Sequence, residues 1–376
     1  MEFKRLPGLT PDGTIYRNDN MGTLEALIPS GSYQFVQAPS LLELPGGDLL
    51  CAWSAGSYEG SADESIVCAR LIKGEDHWKK PVKVSRDSKR SEQNPSLFLG
   101  PDNTVWSVYT AQSEGVSGKS NMHHTSMIRF QKSFDGGRTW EEARGLFPDA
   151  GSLCSQPIKI LQNGRLIFSN WISKDLKTGL TGDPTVFRIS DDEGASWKTV
   201  FVPESQGRIQ ANVVELEQGR LIAFMRSRFA DFIYRSESFD WGSSWSSPVK
   251  TILPNNNSGI SAVRLASGRI ALAYNPTSGE QPATGKDSLS GHCCPVTVAL
   301  SGDGGVTWPY ARHMEFGEGF AGEGNQYSNG QYENPCLLQG EDEDLHLVFT
   351  YKGRACIKYM RFTENDIIGD KRAEGK

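Results

Sequence analysis

A chain of 376 residues with 39 basic and 45 acidic side chains, a net charge of −6, 40 glycines and 19 prolines has the composition of a globular protein rich in turns. Its acidic balance, with no basic run before Lys371-Arg372, argues against a nucleic-acid or anionic-membrane partner. Seven cysteines, odd in number and with no Cys-x-x-Cys, exclude a disulfide framework or a zinc site as the organising device.

Residues Met1 to Glu25 lack the apolar core of a secretion signal, and no apolar run reaches the length of a membrane span, so a cytoplasmic home is expected. The first apolar strand is Thr23 to Ile28. A unit then recurs: a polar residue or two, often with Pro, an apolar strand, a glycine-type turn and a second apolar strand. Its copies open at Gln37-Ala38-Pro39, Gln93-Asn94-Pro95, Gln156-Pro157, Gln210-Ala211-Asn212, Asn257-Ser258-Gly259 and Glu333-Asn334-Pro335. Their second strands begin at 49, 105, 166, 221, 270 and 345. A third strand, such as Ser126 to Gln131, leads each unit into a further turn.

That turn is the most regular feature of the chain. Ser133-Phe134-Asp135-Gly136-Gly137-Arg138-Thr139-Trp140 has the form Ser-x-Asp-x-Gly-x-x-Trp, and the form returns ending at Trp197, Trp245 and Trp308. A worn copy ends at Trp78. The tryptophans step by 62, 57, 48 and 63 residues, a period that belongs to propellers and arrays. Glycine supplies the positive φ of a tight turn, Asp and Ser bond the local backbone, and Trp covers the hairpin. An all-β, single-domain, six-bladed β-propeller follows. The free strand Thr23 to Ile28 closes the last blade, and a seven-bladed ring is the alternative if strands hide in 276–292 and 316–329.

Topology sorts the candidate site residues. The first strand of each unit starts on the face where the second ends, and the Ser-x-Asp turns lie on the opposite face. Gln37, Gln93, Asn94, Gln156, Gln210, Glu333 and Asn334 therefore ring the mouth of the central channel. Trp53, Trp171, Arg226, Asn275 and Tyr351 join them from the second strands, and Asp63, His123, His124, His292 and Arg354 from the loops. Amides bond hydroxyls and aromatics stack on sugar rings, so this rim suits a carbohydrate or other polyhydroxylated small molecule. The histidine pair supplies an acid or base near neutral pH. No metal or cofactor is expected.

The repeated turns resemble the Asp-boxes of the sialidase-like β-propellers, and the resemblance runs along almost the whole chain. It implies a carbohydrate-active enzyme, a glycosidase or lyase working at a chain end. Gly56 to Asp63 resembles the loop that holds the family's general acid, which points to Asp63. Tyr332, with Tyr327 close by, fits the nucleophile, and Glu333 adjoins it. Arg226 fits the second arginine of the carboxylate-binding triad. Gln210 stands where the family's paired Glu belongs, Gln37 replaces the first arginine and Cys293 stands near the place of the third. One arginine is no three-pronged clamp, so sialidase activity itself is not expected. A non-catalytic sugar-binding propeller and a propeller recruited to small-molecule metabolism are the alternatives.

Overall fold

A computed structural model describes residues 11–113, 119–173, 179–278, 293–316, 332–351 and 353–369. Six antiparallel sheets follow one another along the chain and form a six-bladed propeller. Blade 4 shows the plan: Arg208–Glu217, Arg220–Ser227, Phe232–Ser238 and Val249–Pro254 pair in chain order from the axis outward. In blade 3 the innermost strand is split into Ser152–Cys154 and Lys159–Ile160. Blade 6 has Cys336–Gln339, Leu345–Tyr351 and Cys356–Phe362, and takes Thr23–Ile28 as its fourth strand, in register from Leu24↔Arg361 to Ile28↔Ile357. Among the described residues there is no seventh sheet. Most of the two stretches that would have to supply one lies outside them, as do His292 and Tyr327.

The strands reflect where each stands in the ring. Leu49–Gly56, Leu166–Ile172 and Leu345–Tyr351 are buried at every position, because a second strand is sandwiched between neighbouring blades and is closed off from water on both faces. Peripheral strands such as Val82–Lys83 are exposed. The core is accordingly divided into seams between consecutive blades. Leu44, Leu50 and Ile66 of blade 1 meet Leu97, Val105 and Tyr109 of blade 2, and each later seam repeats the pattern. The closing strand serves two seams by alternation, with Leu27 facing blade 5 and Ala26 and Ile28 facing blade 1.

The four Ser-x-Asp turns are locked by their own side chains. Each serine hydroxyl donates to its Asp Oδ1, at 2.8, 2.7, 2.9 and 2.8 Å, and accepts from the glycine N–H. Asp Oδ2 accepts from the hydroxyl of Thr139, Ser196, Ser244 or Thr307, at 2.6 Å in all four. The tryptophan does more than cover its own hairpin: it reaches back to the preceding blade. Trp197 meets Phe147 edge-on at 5.7 Å, Trp308 meets Phe224 at 5.8 Å, and Trp78 of the worn copy meets Tyr359 of blade 6 at 5.2 Å. Blade 6 has no such turn. In its place helix α1 (Glu364–Ile368), capped by Thr363, buries Ile367 against blade 5.

The closing strand is also pinned by charge. The buried Lys358 ammonium sits 2.7 Å from Glu25 of the closing strand and 2.7 Å from Glu315 of blade 5. Tyr16, Asn18 and Thr23 donate to the same Glu25 carboxylate at 2.9, 2.9 and 2.8 Å.

Candidate functional site

The innermost strands are kinked where they turn into the mouth. Pairing skips a step between Gln37 and Ser40, between Gln93 and Ser96 and between Ile209 and Asn212. At the kinks Ala38, Asn94, Gln210 and Asn334 adopt φ of 54°, 52°, 54° and 52°, uncommon for residues with a side chain. Such bulges re-aim side chains, and they tolerate the prolines that follow Ala38, Asn94 and Asn334 on an inner edge strand. One residue per blade then faces the axis: Ala38, Asn94, Gln156, Gln210, Gly259 and Asn334 line a cavity of about 30 Å³. A Cβ on Gly259 would lie 2.7 Å from Asn334 Oδ1 and 3.4 Å from Gln210 Oε1, so the glycine makes room for its neighbours' amides. The cavity is too small for a sugar ring, and a ligand must stay above it.

The bulge separates glutamines that look alike in sequence. Gln156 and Gln210 stand on the axial ring, whereas Gln37 and Gln93 stand one position earlier and turn to a carboxyl group, Glu64. Glu64 accepts from Gly60 N–H at 2.8 Å, Ser91 Oγ at 2.7 Å, Gln93 Nε2 at 2.9 Å and Gln37 Nε2 at 3.3 Å. Burial pushes it up to about 7, against those hydrogen bonds, with the Glu59 charge adding to the rise. Sequence reasoning passed over Glu64 for its neighbour. The signal was the alternation Glu64, Ile66, Cys68, which sets the carboxyl on a core face. Asp63 itself is exposed. Ser57 donates to it at 2.6 Å, and Ser57 and Ser61 hold it below the usual carboxylate range. It ties its own loop and is ionised where a general acid needs a proton.

On the other side, Arg354 donates through Nε and Nη2 to Glu333 Oε2, at 3.1 and 2.7 Å, and through Nη1 to Glu59 Oε2 at 2.8 Å. Burial presses on its charge, but Glu333 and Glu59 outweigh that and keep it firmly protonated. Arg226 is in the opposite condition. Among the described residues its one hydrogen-bond partner is Gln210 Oε1 at 3.2 Å, and its Nε has none. Burial, then the neighbouring Arg228, push it down to about 9, which still leaves it charged at neutral pH. Arg228 has a carboxylate of its own, Asp183 at 2.9 Å, both buried.

The remaining candidates divide between mouth and core. His123 and His124 end a short helix, Lys119–His124. Met122 of that helix comes close to Gly60. Tyr332 is 1% exposed and stacks on Tyr351 at 5.1 Å, and burial, then Glu315, raise its pKa far above that of a free phenol. Asn275 donates to the carbonyls of Cys293, Pro295 and Tyr332 at 2.9, 3.0 and 3.2 Å, which makes it a clamp on the backbone. Trp53, Trp171 and Tyr351 are 0, 3 and 1% exposed, packed between blades, and offer no stacking surface. Cys293, pushed up to about 12 by burial and then by Glu333, carries no charge in the third arginine's place. Among the described residues no group of three or more His, Cys, Asp or Glu could hold a metal ion.

Comparison with known proteins agrees with this architecture. The profile of the BNR repeat-like domain matches residues 47–347. The solved structure of the Hadza microbial sialidase Hz136 superposes with a TM-score of 0.71 at 18% identity, covering 89% of this chain and 66% of that one. The NanB sialidase from Streptococcus pneumoniae superposes with a TM-score of 0.70 at 13% identity, covering 96% and 72%. A protein of unknown function from Dyadobacter fermentans gives 0.67 at 16% identity, covering 95% and 99%. The chain thus spans just under two thirds of Hz136, and at these identities the likeness is one of fold. No curated protein sequence matches the chain.

Proposed function

The chain belongs to the family of BNR repeat-like domains, within the sialidase-like superfamily of six-bladed propellers, and on that footing we propose that its mouth binds the carboxylate of an acidic sugar at a glycan end and acts on it as a glycosidase or uronate lyase, not as a true sialidase. The observation that carries this reading is the condition of Arg226. Arg354 takes up Glu59 and Glu333, Asp183 takes up Arg228, and Arg226 is left with the amide oxygen of Gln210. A buried guanidinium in a like-charged field gains most from a carboxylate, which it grips in bidentate fashion. The closed axial ring beneath favours a chain end over a chain interior. With Gln37 hydrogen-bonded to Glu64 and an uncharged Cys293, the three-armed clamp of a sialidase is not assembled. In a lyase reaction His123 or His124 takes the C5 proton beside the uronate carboxyl, the C4–O bond to the adjoining sugar breaks, that sugar leaves with a proton as a free hydroxyl, and Arg226 neutralises the carboxyl.

The test is incubation with uronate-capped, sialylated and neutral oligosaccharides. Mass spectrometry reads release, and ultraviolet absorbance reads an unsaturated product. Turnover of uronate-capped substrates that Arg226→Ala abolishes supports the reading, and turnover confined to neutral glycans defeats it. A second reading, a non-catalytic acidic-glycan receptor, is favoured by Tyr332 being stacked in the core and Asp63 being held ionised in its own loop. Tight binding with unchanged ligand selects it.

A further inference from the structure

Two blades on from Arg226 stands a carboxylate oxygen that is itself under-used. Both Arg354 contacts to Glu333 fall on Oε2. For Glu333 Oε1 the described residues provide only the Cys293 thiol, at 3.9 Å, a long contact from a weak donor. Glu333 lies beyond ion-pairing reach of Arg226, and the two are linked through Gly259, whose Cβ position lies 3.4 Å from Gln210 Oε1, the acceptor of Arg226, and 2.7 Å from Asn334 Oδ1, the residue after Glu333. The cation without a carboxylate, on blade 4, and the carboxylate oxygen without a strong donor, on blade 6, therefore flank blade 5 from either side. We propose that the ligand is zwitterionic, an acidic sugar that also bears a protonated amine, with its carboxylate on Arg226 and its ammonium on Glu333 Oε1. The inference rests on the carboxylate-binding role given to Arg226 above and adds the second charge.

An ammonium is preferred to a hydroxyl on energetic grounds. Glu333 is only partly exposed, with a side-chain exposure of 14%, and an ammonium adds a full opposite charge to the hydrogen bond that a hydroxyl would also give its carboxylate. An N-acetyl group at the same place carries no charge and adds bulk beside Cys293. The two site charges, opposite in sign and two blades apart, also set the ligand's orientation. A carboxylate facing Glu333 or an ammonium facing Arg226 is repelled.

The experiment is calorimetric titration of the full chain with glucuronic acid, the positional isomers of its monoamino derivatives, their N-acetyl forms and glucosamine. At least one amino acid sugar is expected to bind about tenfold tighter than both glucuronic acid and its own N-acetyl form. That preference should vanish as pH rises through the amine's pKa. It should also vanish in Glu333→Gln, which keeps the dependence on the carboxylate. If no isomer outbinds glucuronic acid while carboxylate dependence through Arg226 persists, the zwitterion proposal is overturned and the acidic-ligand reading stands. If glucosamine binds as well as the amino acids, the acidic-ligand reading falls and takes the zwitterion with it.

Discussion

Trp245 lies nearly flat on Phe187 of the blade before it, with ring centroids 4.3 Å apart and planes 23° from parallel. The pair joins a turn of blade 4 to a strand of blade 3, so the repeated motif fastens blades to one another as well as closing hairpins. Trp245→Ala is expected to lower stability by about 3 kcal/mol. Phe201→Ser, at a peripheral aromatic that is 61% exposed, should change it by no more than about 0.5 kcal/mol. Chemical denaturation of the two variants decides. Similar losses would mean that the seam contact is not what the tryptophan provides.

Arg226 sets stability against function. Its guanidinium is buried beside Arg228 with no carboxylate of its own. Arg226→Met should raise stability on the order of 1 kcal/mol while removing the binding of acidic ligands. Thermal melting paired with calorimetry checks both halves. A destabilised variant would mark the residue as a structural strand end.

Glu64 predicts a pH dependence. Its folded value of about 7 stands above the 4.5 of an unburied glutamate. Between those limits the folded protein holds a proton that the unfolded chain has released. The contribution is thus fully present below the lower value and is lost as pH rises through the upper one, amounting to no more than about 3 kcal/mol. Glu64→Gln keeps an acceptor for Gly60, Ser91 and Gln93 and should flatten the stability profile across this window. An unchanged slope would assign the titration elsewhere.

Lys358 holds two buried carboxylates apart. Lys358→Met leaves Glu25 and Glu315 without their shared cation, and breaking a buried pair in this way costs about 3–5 kcal/mol. Amide hydrogen exchange should quicken first along Thr23–Ile28, the strand that carries Glu25. Uniform quickening around the ring would argue against a local clasp.

The six blades are legible in the sequence because each second strand is enclosed on both faces, so Leu345–Tyr351 and its equivalents read as predominantly apolar runs with few charges. The Ser-x-Asp turns are legible because one geometry demands the same side chains four times. The mouth is harder to read. A bulge shifts alternation by one residue without changing composition, so Gln93 and Gln156 look equivalent yet serve Glu64 and the axis respectively. Arg228 and Asp183 are 45 residues apart in sequence, and no local pattern joins them. The reach of each tryptophan to its predecessor blade is likewise a property of the closed ring.

One joint of the ring differs in kind. Where the other blades send a tryptophan backward, blade 6 presses helix α1 on blade 5 through Ile367, aided by Glu364 bonding Ser267 and Arg269 at 2.9 Å each. A wheel riveted at five joints and pegged at the sixth loosens first at the peg. Removing residues 364–376 should weaken the seam between blades 5 and 6 before any other, leaving Leu27 and the Lys358–Glu315 pair to hold it. Cys293 and Glu333 stand on the two sides of that seam, so the mouth would slacken there first.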